Sequence, residues 1–466
     1  EEARLLSDMR QLTYVGKRAG EGYFSADGSR MVFQSEREPD NPFYQIYLMD
    51  FTTGEITRVS PGYGKTTCAW FHPRFKKVLF ASTHEDPAAH AKQQEELHLR
   101  ASGHTRRYSW DFDEYFDLYE TRRHGTGLKN LNRAPGYDAE ASWSPNGRWI
   151  VFTSTRHAYT APLSPEEAAI LERDKSYFAE ICLMRSDGTR LRRLTEAPGY
   201  DGGPFFSPDG KQIVWRRFSV DGASAEIYTM NVDGTEQRPI TALNAMSWAP
   251  FYHPSGDYII FTTNIHGFDN FELYIVDTQG AHEPVRVTFT PGFDGLPAFS
   301  PDGCQLAWTS TRTPDGAAQV FLAQWNDAVA RDMLGLETQP GPETSSQAEE
   351  TTQTAPPTDI RATDLQAHVA QLASEEMEGR RTGTEGELRA TAYVASAFES
   401  LGLHPAGDHG RFFQEFEFTA GVSLGNENQL ALATPEGAQQ FEVDKDWRPL
   451  AFSATGHVPP SGIVFA

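Results

Sequence analysis

The chain has 466 residues, 41 basic against 64 acidic, and a net charge of −23. That length exceeds one ordinary core, so at least two domains are expected. The acidity excludes nucleic acid and anionic membrane as partners, because binding phosphate needs clustered Lys and Arg. Cys68, Cys182 and Cys304 lie far apart without CxxC spacing and read as small buried hydrophobes. No apolar run reaches the length of a membrane span. The chain opens at Glu1 with neither Met nor a signal peptide, as a mature or trimmed product would.

Arg10-Gln11-Leu12-Thr13 reads as the fourth strand of a repeat unit, yet no unit precedes it. The units themselves then begin. Phe24-Ser25-Ala26-Asp27-Gly28, Phe71-His72-Pro73-Arg74-Phe75, Trp143-Ser144-Pro145-Asn146-Gly147, Phe206-Ser207-Pro208-Asp209-Gly210, Tyr252-His253-Pro254-Ser255-Gly256 and Phe299-Ser300-Pro301-Asp302-Gly303 are versions of one turn. Their spacings of 47, 72, 63, 46 and 47 describe a propeller-blade period, twice lengthened by insertion. Pro presets φ for the turn and Gly takes the positive-φ position without steric cost.

A strand rich in β-branched and aromatic residues follows each turn, as at Trp149-Ile150-Val151-Phe152 and Tyr258-Ile259-Ile260-Phe261. A third strand recurs (Glu226-Ile227-Tyr228-Thr229-Met230), then an Asp-Gly turn and a short fourth strand. The last unit has a third strand at Gln319–Ala323 and no fourth after it. The N-terminal strand is therefore expected to complete the last blade and close an all-β six-bladed propeller, leaving no open edge.

Insertions from about His84 to Glu114 and from Arg156 to Ala179 should rise on the face that holds the loops joining the blades. The second starts a helix at Ser164-Pro165-Glu166-Glu167. The joining loops repeat Pro-Gly-aromatic-Asp, with Tyr137-Asp138, Tyr200-Asp201 and Phe293-Asp294 as candidate peptide-binding residues at the channel mouth. The alternative is that the aromatic packs between blades and the Asp bonds its own turn, and this simpler reading is favoured.

Other chemical signals are weak. His84, His90, His98 and His104 lack the spacing that sets two ligands on one helical face, and read as solvated surface. Asp111, Asp113, Glu114 and Asp117 lack the Gly and terminal Glu of an EF-hand loop. Ser224 lacks the second Gly of a nucleophile elbow.

The domains divide as residues 1–330 (propeller), 331–358 (a flexible linker rich in Glu, Thr, Gln, Pro and Ser) and 359–466. In the last, one helix is expected through about Leu372. A second, from about Glu387 to Leu401, should turn Leu388, Ala392, Ala395, Phe398 and Leu401 inward.

The Phe-Ser-Pro-Asp-Gly turns and Ile227-Tyr228-Thr229-Met230-Asn231-Val232-Asp233-Gly234 resemble the TolB-type propeller. Leu372–Arg380, Thr382-Gly383-Thr384, Leu401-Gly402-Leu403, Phe412–Phe416, Asn428-Gln429-Leu430 and the closing Ser461–Ala466 resemble the start of the zinc aminopeptidase family related to glutamate carboxypeptidase, leading into a protease-associated insert. The second resemblance implies an exported peptidase with two zinc ions, acting on a peptide or protein substrate, with the propeller as recognition or gating module. Its ligands would lie downstream. His368, His404, His409 and His457 do not match the family's ligand motifs, so this chain is expected to bind no metal and to be inactive alone. The alternatives are a non-enzymatic TolB-like scaffold for envelope proteins and a serine hydrolase of the prolyl-oligopeptidase kind, the latter disfavoured because a nucleophile elbow is lacking.

Overall fold

The computed structural model describes residues 2–102, 112–336 and, with breaks, parts of 362–445. His104, Asp111, residues 337–358 of the linker, Glu378–Gly383, Phe416, Asn428-Gln429 and Ser461–Ala466 lie outside the described residues. Two compact units separate at residue 343.

Six four-stranded antiparallel sheets form the first unit. Their first strands are Arg18–Phe24, Thr66–Phe71, Asp138–Trp143, Asp201–Phe206, Ser247–Tyr252 and Asp294–Phe299, one each for blades 1 to 6. The sixth sheet takes its outermost strand from the N-terminus: Leu6–Gln11 pairs with Gln319–Trp325, Leu6 opposite Trp325 and Gln11 opposite Phe321. Thr13 Oγ1 donates to Gln319 Oε1 at 2.6 Å and accepts from the Val320 N–H at 2.9 Å. The closing strand is thus held by hydrogen bonds beyond the sheet ladder itself.

The recurring turn works through its serine. Ser207 Oγ donates to Asp209 at 2.7 Å and accepts the Gln212 N–H at 2.9 Å, and Ser25 and Ser300 repeat the pattern. Where His replaces Ser, His72 Nδ1 accepts the N–H groups of Arg74 and Phe75, both at 3.0 Å. Adjacent turns also touch. A Cβ on Gly147 would lie 2.6 Å from His72, and one on Gly303 would lie 2.7 Å from His253.

Cores lie between blades, as where Val151, Ile181 and Leu183 of blade 3 pack with Phe206, Ile213, Trp215 and Met230 of blade 4. The outermost strands are only two or three residues long, apart from the N-terminal one, which limits the exposed edge. Both insertions leave the joining-loop face, because each sits between the second and third strands of its blade. They carry helices Ala89–Ala101 and Pro165–Arg173, the second started by a full Ser164–Glu167 capping box.

Three local expectations are corrected. Only Cys182 is buried; Cys68 is half-buried and Cys304 exposed. His84 is not simply solvated, since its ring packs 4.4 Å from that of Tyr119. Ordered structure also continues past the last blade. Helix Asp327–Met333 docks on blade 5 through Tyr258–Asp327 at 2.7 Å and Arg331–Asp257 at 2.7 Å.

The second unit contains helices Ala362–Leu372 and Glu385–Ser400 and a hairpin, Leu430–Thr434 with Gly437–Phe441. The apolar stripe of the longer helix is not turned inward. Leu388, Phe398 and Leu401 are 59%, 41% and 65% exposed, with the Phe398 ring 5.9 Å from that of Phe412. Among the described residues, no helix is long and apolar enough to cross a membrane.

Candidate binding site on the propeller axis

Every first strand is interrupted at the same place. The register slips between Gly20 and Tyr23, Thr67 and Trp70, Ala139 and Ser142, Gly202 and Phe205, Trp248 and Phe251, and Gly295 and Ala298. Within each slip one residue is left-handed: Glu21, Cys68, Glu140, Gly203, Ala249 and Leu296, with φ between 50° and 64°. Five of these six carry a side chain in a conformation that costs about 1 kcal/mol or more, so the bulge must be imposed by its surroundings. The neighbouring blade supplies that support. Thr309 Oγ1 accepts the Glu21 N–H at 2.9 Å, Thr262 Oγ1 accepts that of Leu296 at 3.2 Å, and Glu140 Oε2 accepts that of Gly203 at 2.7 Å.

Two layers stack along the axis. Nearer the inserted face is the ring of bulge residues, five of which are half-buried and line solvent-accessible space. Two residues further along each strand come Tyr23, Trp70, Ser142, Phe205, Phe251 and Ala298. In a ring of six, blades 1 and 4 are opposite, as are blades 2 and 5. Tyr23 and Phe205 meet across the axis at 5.6 Å between ring centroids, and Trp70 and Phe251 meet at 6.0 Å. The third opposing pair, Ser142 and Ala298, is small and leaves room for the four rings. The channel therefore has an aromatic floor, with the partly exposed bulge ring above it on the side of the inserted face.

Its wall is polar on one side. Glu140 is saturated: Oε1 accepts from Arg216 at 2.7 Å, and Oε2 from Tyr200 and Thr153, both at 2.9 Å. Burial alone would raise its pKa, but the Arg216 guanidinium and these donors hold it below the usual carboxylate range. Arg216 lies over the Tyr200 ring at 5.0 Å. A Cβ at Gly203 would fall 2.4 Å from Arg216 Nη1, and one at Gly202 would fall 2.3 Å from the Tyr200 ring, so the Gly202-Gly203 pair makes space for the network.

Glu21 is different. Its carboxyl accepts from Tyr23 Oη at 3.2 Å, and the Cys68 thiol, in contact with Thr67 Oγ1 at 3.2 Å, favours its ionised form. Among the described residues no cation pairs with it, and burial pushes it up to about 7. Burial also raises the Cys68 thiol and the Tyr23 phenol, with the Glu21 charge adding to both.

The aspartates of the joining loops lie outside this axial site. Asp138, Asp201 and Asp294 are buried and paired with Arg156, Arg217 and Arg312 of their own blades, the last two at 2.6 Å. Tyr137 packs between Phe112 and Phe116, and Phe293 packs against Trp248 and Phe271. Of the six candidates, Tyr200 reaches the axial cluster. Glu21, Cys68, Glu140 and Arg216 were not among them, although aligning the repeats three residues before each turn aromatic would have shown the first three as the polar members of one column.

Two clefts mark the inserted face. One of about 430 Å³ lies between the insertions, where Asp113 pairs with Lys65 at 3.4 Å and Lys92 at 2.9 Å, and Glu114 pairs with Lys175 at 2.8 Å. The other, about 440 Å³, crosses blades 4 and 5 and is lined by Leu243, Met246, Ile265 and the exposed Phe268.

The fold defines a six-bladed β-propeller whose axis is closed by an aromatic floor. The propeller is TolB-like: a family model for the TolB beta propeller domain matches residues 221–377. No curated protein sequence matches the chain. Similar solved structures include a TolB-titled protein from Agrobacterium tumefaciens (17% identity, TM-score 0.44, covering 66% of this chain and 90% of that one). An oligogalacturonate lyase in complex with manganese is also similar (14%, TM-score 0.43, 69% and 94%). So is a puromycin-hydrolyzing peptidase from Mycobacterium tuberculosis (14%, TM-score 0.40, 63% and 43%).

Proposed function

We propose that the propeller is a one-sided recognition module for polypeptide, serving an exported zinc-dependent aminopeptidase whose catalytic domain begins in residues 359–466. The crossed aromatic floor carries the recognition half. A disc filled on its axis cannot thread a substrate to a chamber behind it, so recognition at the inserted face is favoured over gating. There the insertions of blades 2 and 3 stand on one side, and the cleft with Leu243, Met246 and Phe268 offers apolar contact on the other.

The peptidase half is supported by the sequence resemblance and by the exposed Leu388 and Leu401 along and at the end of helix Glu385–Ser400. An amphipathic helix with an exposed apolar stripe calls for a further packed layer, which the α/β domain of such a peptidase would supply. The zinc ligands would belong to that domain. Among the described residues no three His, Cys, Asp or Glu side chains are grouped to hold a metal, and His368 is engaged with Tyr393 Oη at 2.7 Å. No catalytic step is assigned to this chain.

The test is the intact mass of the natural protein, followed by zinc content and an aminopeptidase assay on the same material. A mass well above 52.0 kDa, about two zinc ions and release of N-terminal residues are expected. A mass of 52.0 kDa with neither zinc nor turnover would overturn the peptidase half and leave a TolB-like binding scaffold.

A further inference from the structure

We propose that the axial pocket receives a primary ammonium group, from the N-terminus or a lysine side chain of a polypeptide, with Glu21 as its counter-ion and Trp70, Phe205 and Phe251 beneath it. This assignment rests on the inserted face being a polypeptide-binding surface, and names the group that surface admits to the axis.

The charges of the ring argue for a cation. Glu140 and Arg216 neutralise one another and are held by Tyr200, Thr153 and the Gly203 N–H. Glu21 is the carboxyl left over. Its side-chain donor is the neutral Tyr23 hydroxyl, the Arg216 charge that eases its ionisation is already paired with Glu140, and it is 9% exposed. A buried carboxylate without a cation is unfavourable, and an arriving ammonium would relieve that. An anion would meet the reverse situation, since Arg216 is already committed.

The floor adds to the preference. Trp70, Phe205 and Phe251 are half-buried, and aromatic faces attract cations by their quadrupoles. Because the opposing rings close the axis, the group admitted must be the tip of a chain rather than the middle of one. An ammonium suits this better than a guanidinium. An ammonium is a compact point charge that one carboxylate can meet at the end of a narrow recess, whereas the planar fork of Arg is wider and needs a bidentate approach.

The experiment is titration calorimetry on the full chain with four probes. These are acetyl-Gly-Lys-Gly-amide, Gly-Gly-Ala-amide with a free amino terminus, neutral acetyl-Gly-Gly-Ala-amide, and unfolded casein. One or both cationic peptides should bind and the neutral one should not; which of the two binds identifies the source of the ammonium. Glu21→Gln should weaken the cationic peptide about tenfold or more without lowering the thermal midpoint, and Glu21→Asp should retain part of the affinity. Equal binding of the neutral peptide, an unchanged affinity in Glu21→Gln, or no binding of either cation would overturn the assignment. Casein separates the two levels. If it binds while the ammonium probes do not, the pocket assignment falls and surface recognition stands. If nothing binds, both fall.

Discussion

Trp70 and Phe251 stand on opposite blades of the disc, and their ring centroids are 6.0 Å apart across its axis. With Tyr23 and Phe205 crossing them, they turn what the fold would leave as a channel into a floor. Trp70→Ala should cost about 3 kcal/mol, toward the low end for large aromatics because the ring is only half-buried. Ser142→Phe should also destabilise, by about 1–3 kcal/mol, since the small pair Ser142/Ala298 is what admits four rings. Urea denaturation of both variants checks this.

Glu21 links the site to pH. An unfolded glutamate titrates near 4.5, whereas burial in the fold pushes this one up to about 7. The folded state therefore keeps a proton that the unfolded chain has lost. The stabilisation it contributes is whole below about pH 4.5 and is lost as pH rises through about 7. Its upper size is about 3 kcal/mol, from the rise to about 7. Glu21→Gln removes the dependence, so the variant's stability relative to the parent should rise between about pH 5 and pH 8. Denaturation midpoints across that range measure it.

Glu140 and Arg216 form a buried pair, 9% and 11% exposed at the side chain. Glu140→Ala leaves the guanidinium without its carboxylate and should cost about 3–5 kcal/mol. Replacing both, as Glu140→Leu with Arg216→Met, should be milder than either single change. A double-mutant cycle decides it.

Gly147 and Gly210 occupy equivalent turns with φ of 70° and 71°. Their backbone strain on substitution by Ala is the same, but their neighbours differ. The new Cβ would lie 2.6 Å from His72 in the first case and 3.5 Å from Pro145 in the second. Gly147→Ala should therefore be the more costly by about 1–3 kcal/mol, read as the difference between the two thermal midpoints.

The blades, their order and the closing strand are legible in the sequence because each rests on local chemistry repeated six times. Ser-Pro-Asp-Gly makes a turn wherever it stands, and a missing fourth strand at the end of the chain points to a spare one at Arg10–Thr13. The axial site is less legible because its members are assembled from four blades. Glu21, Cys68 and Glu140 are united by a bulge whose cause lies in the neighbouring blade, as Thr309 supports Glu21, and Arg216 reaches them from a second strand. The loop aspartates mislead for a related reason. Asp201 in its Pro-Gly-Tyr-Asp loop looks like a mouth carboxylate, while the Arg217 that occupies it comes from the next strand. Helix Glu385–Ser400 has the apolar periodicity expected of a packed helix, yet periodicity cannot say whether a partner layer is at hand.

The bond between Thr13 and Gln319 joins residues 306 positions apart. Synthesis delivers the first of them early and the second only when the sixth blade has emerged. Closing a bare loop of that length would cost roughly 5 kcal/mol, a figure that blades already folded in between reduce by shortening the free path. Until the clasp shuts, both the third strand of blade 6 and the strand Leu6–Gln11 present unpaired backbone edges. The ring is therefore most open to mispairing with another chain in the interval just before its last strand appears.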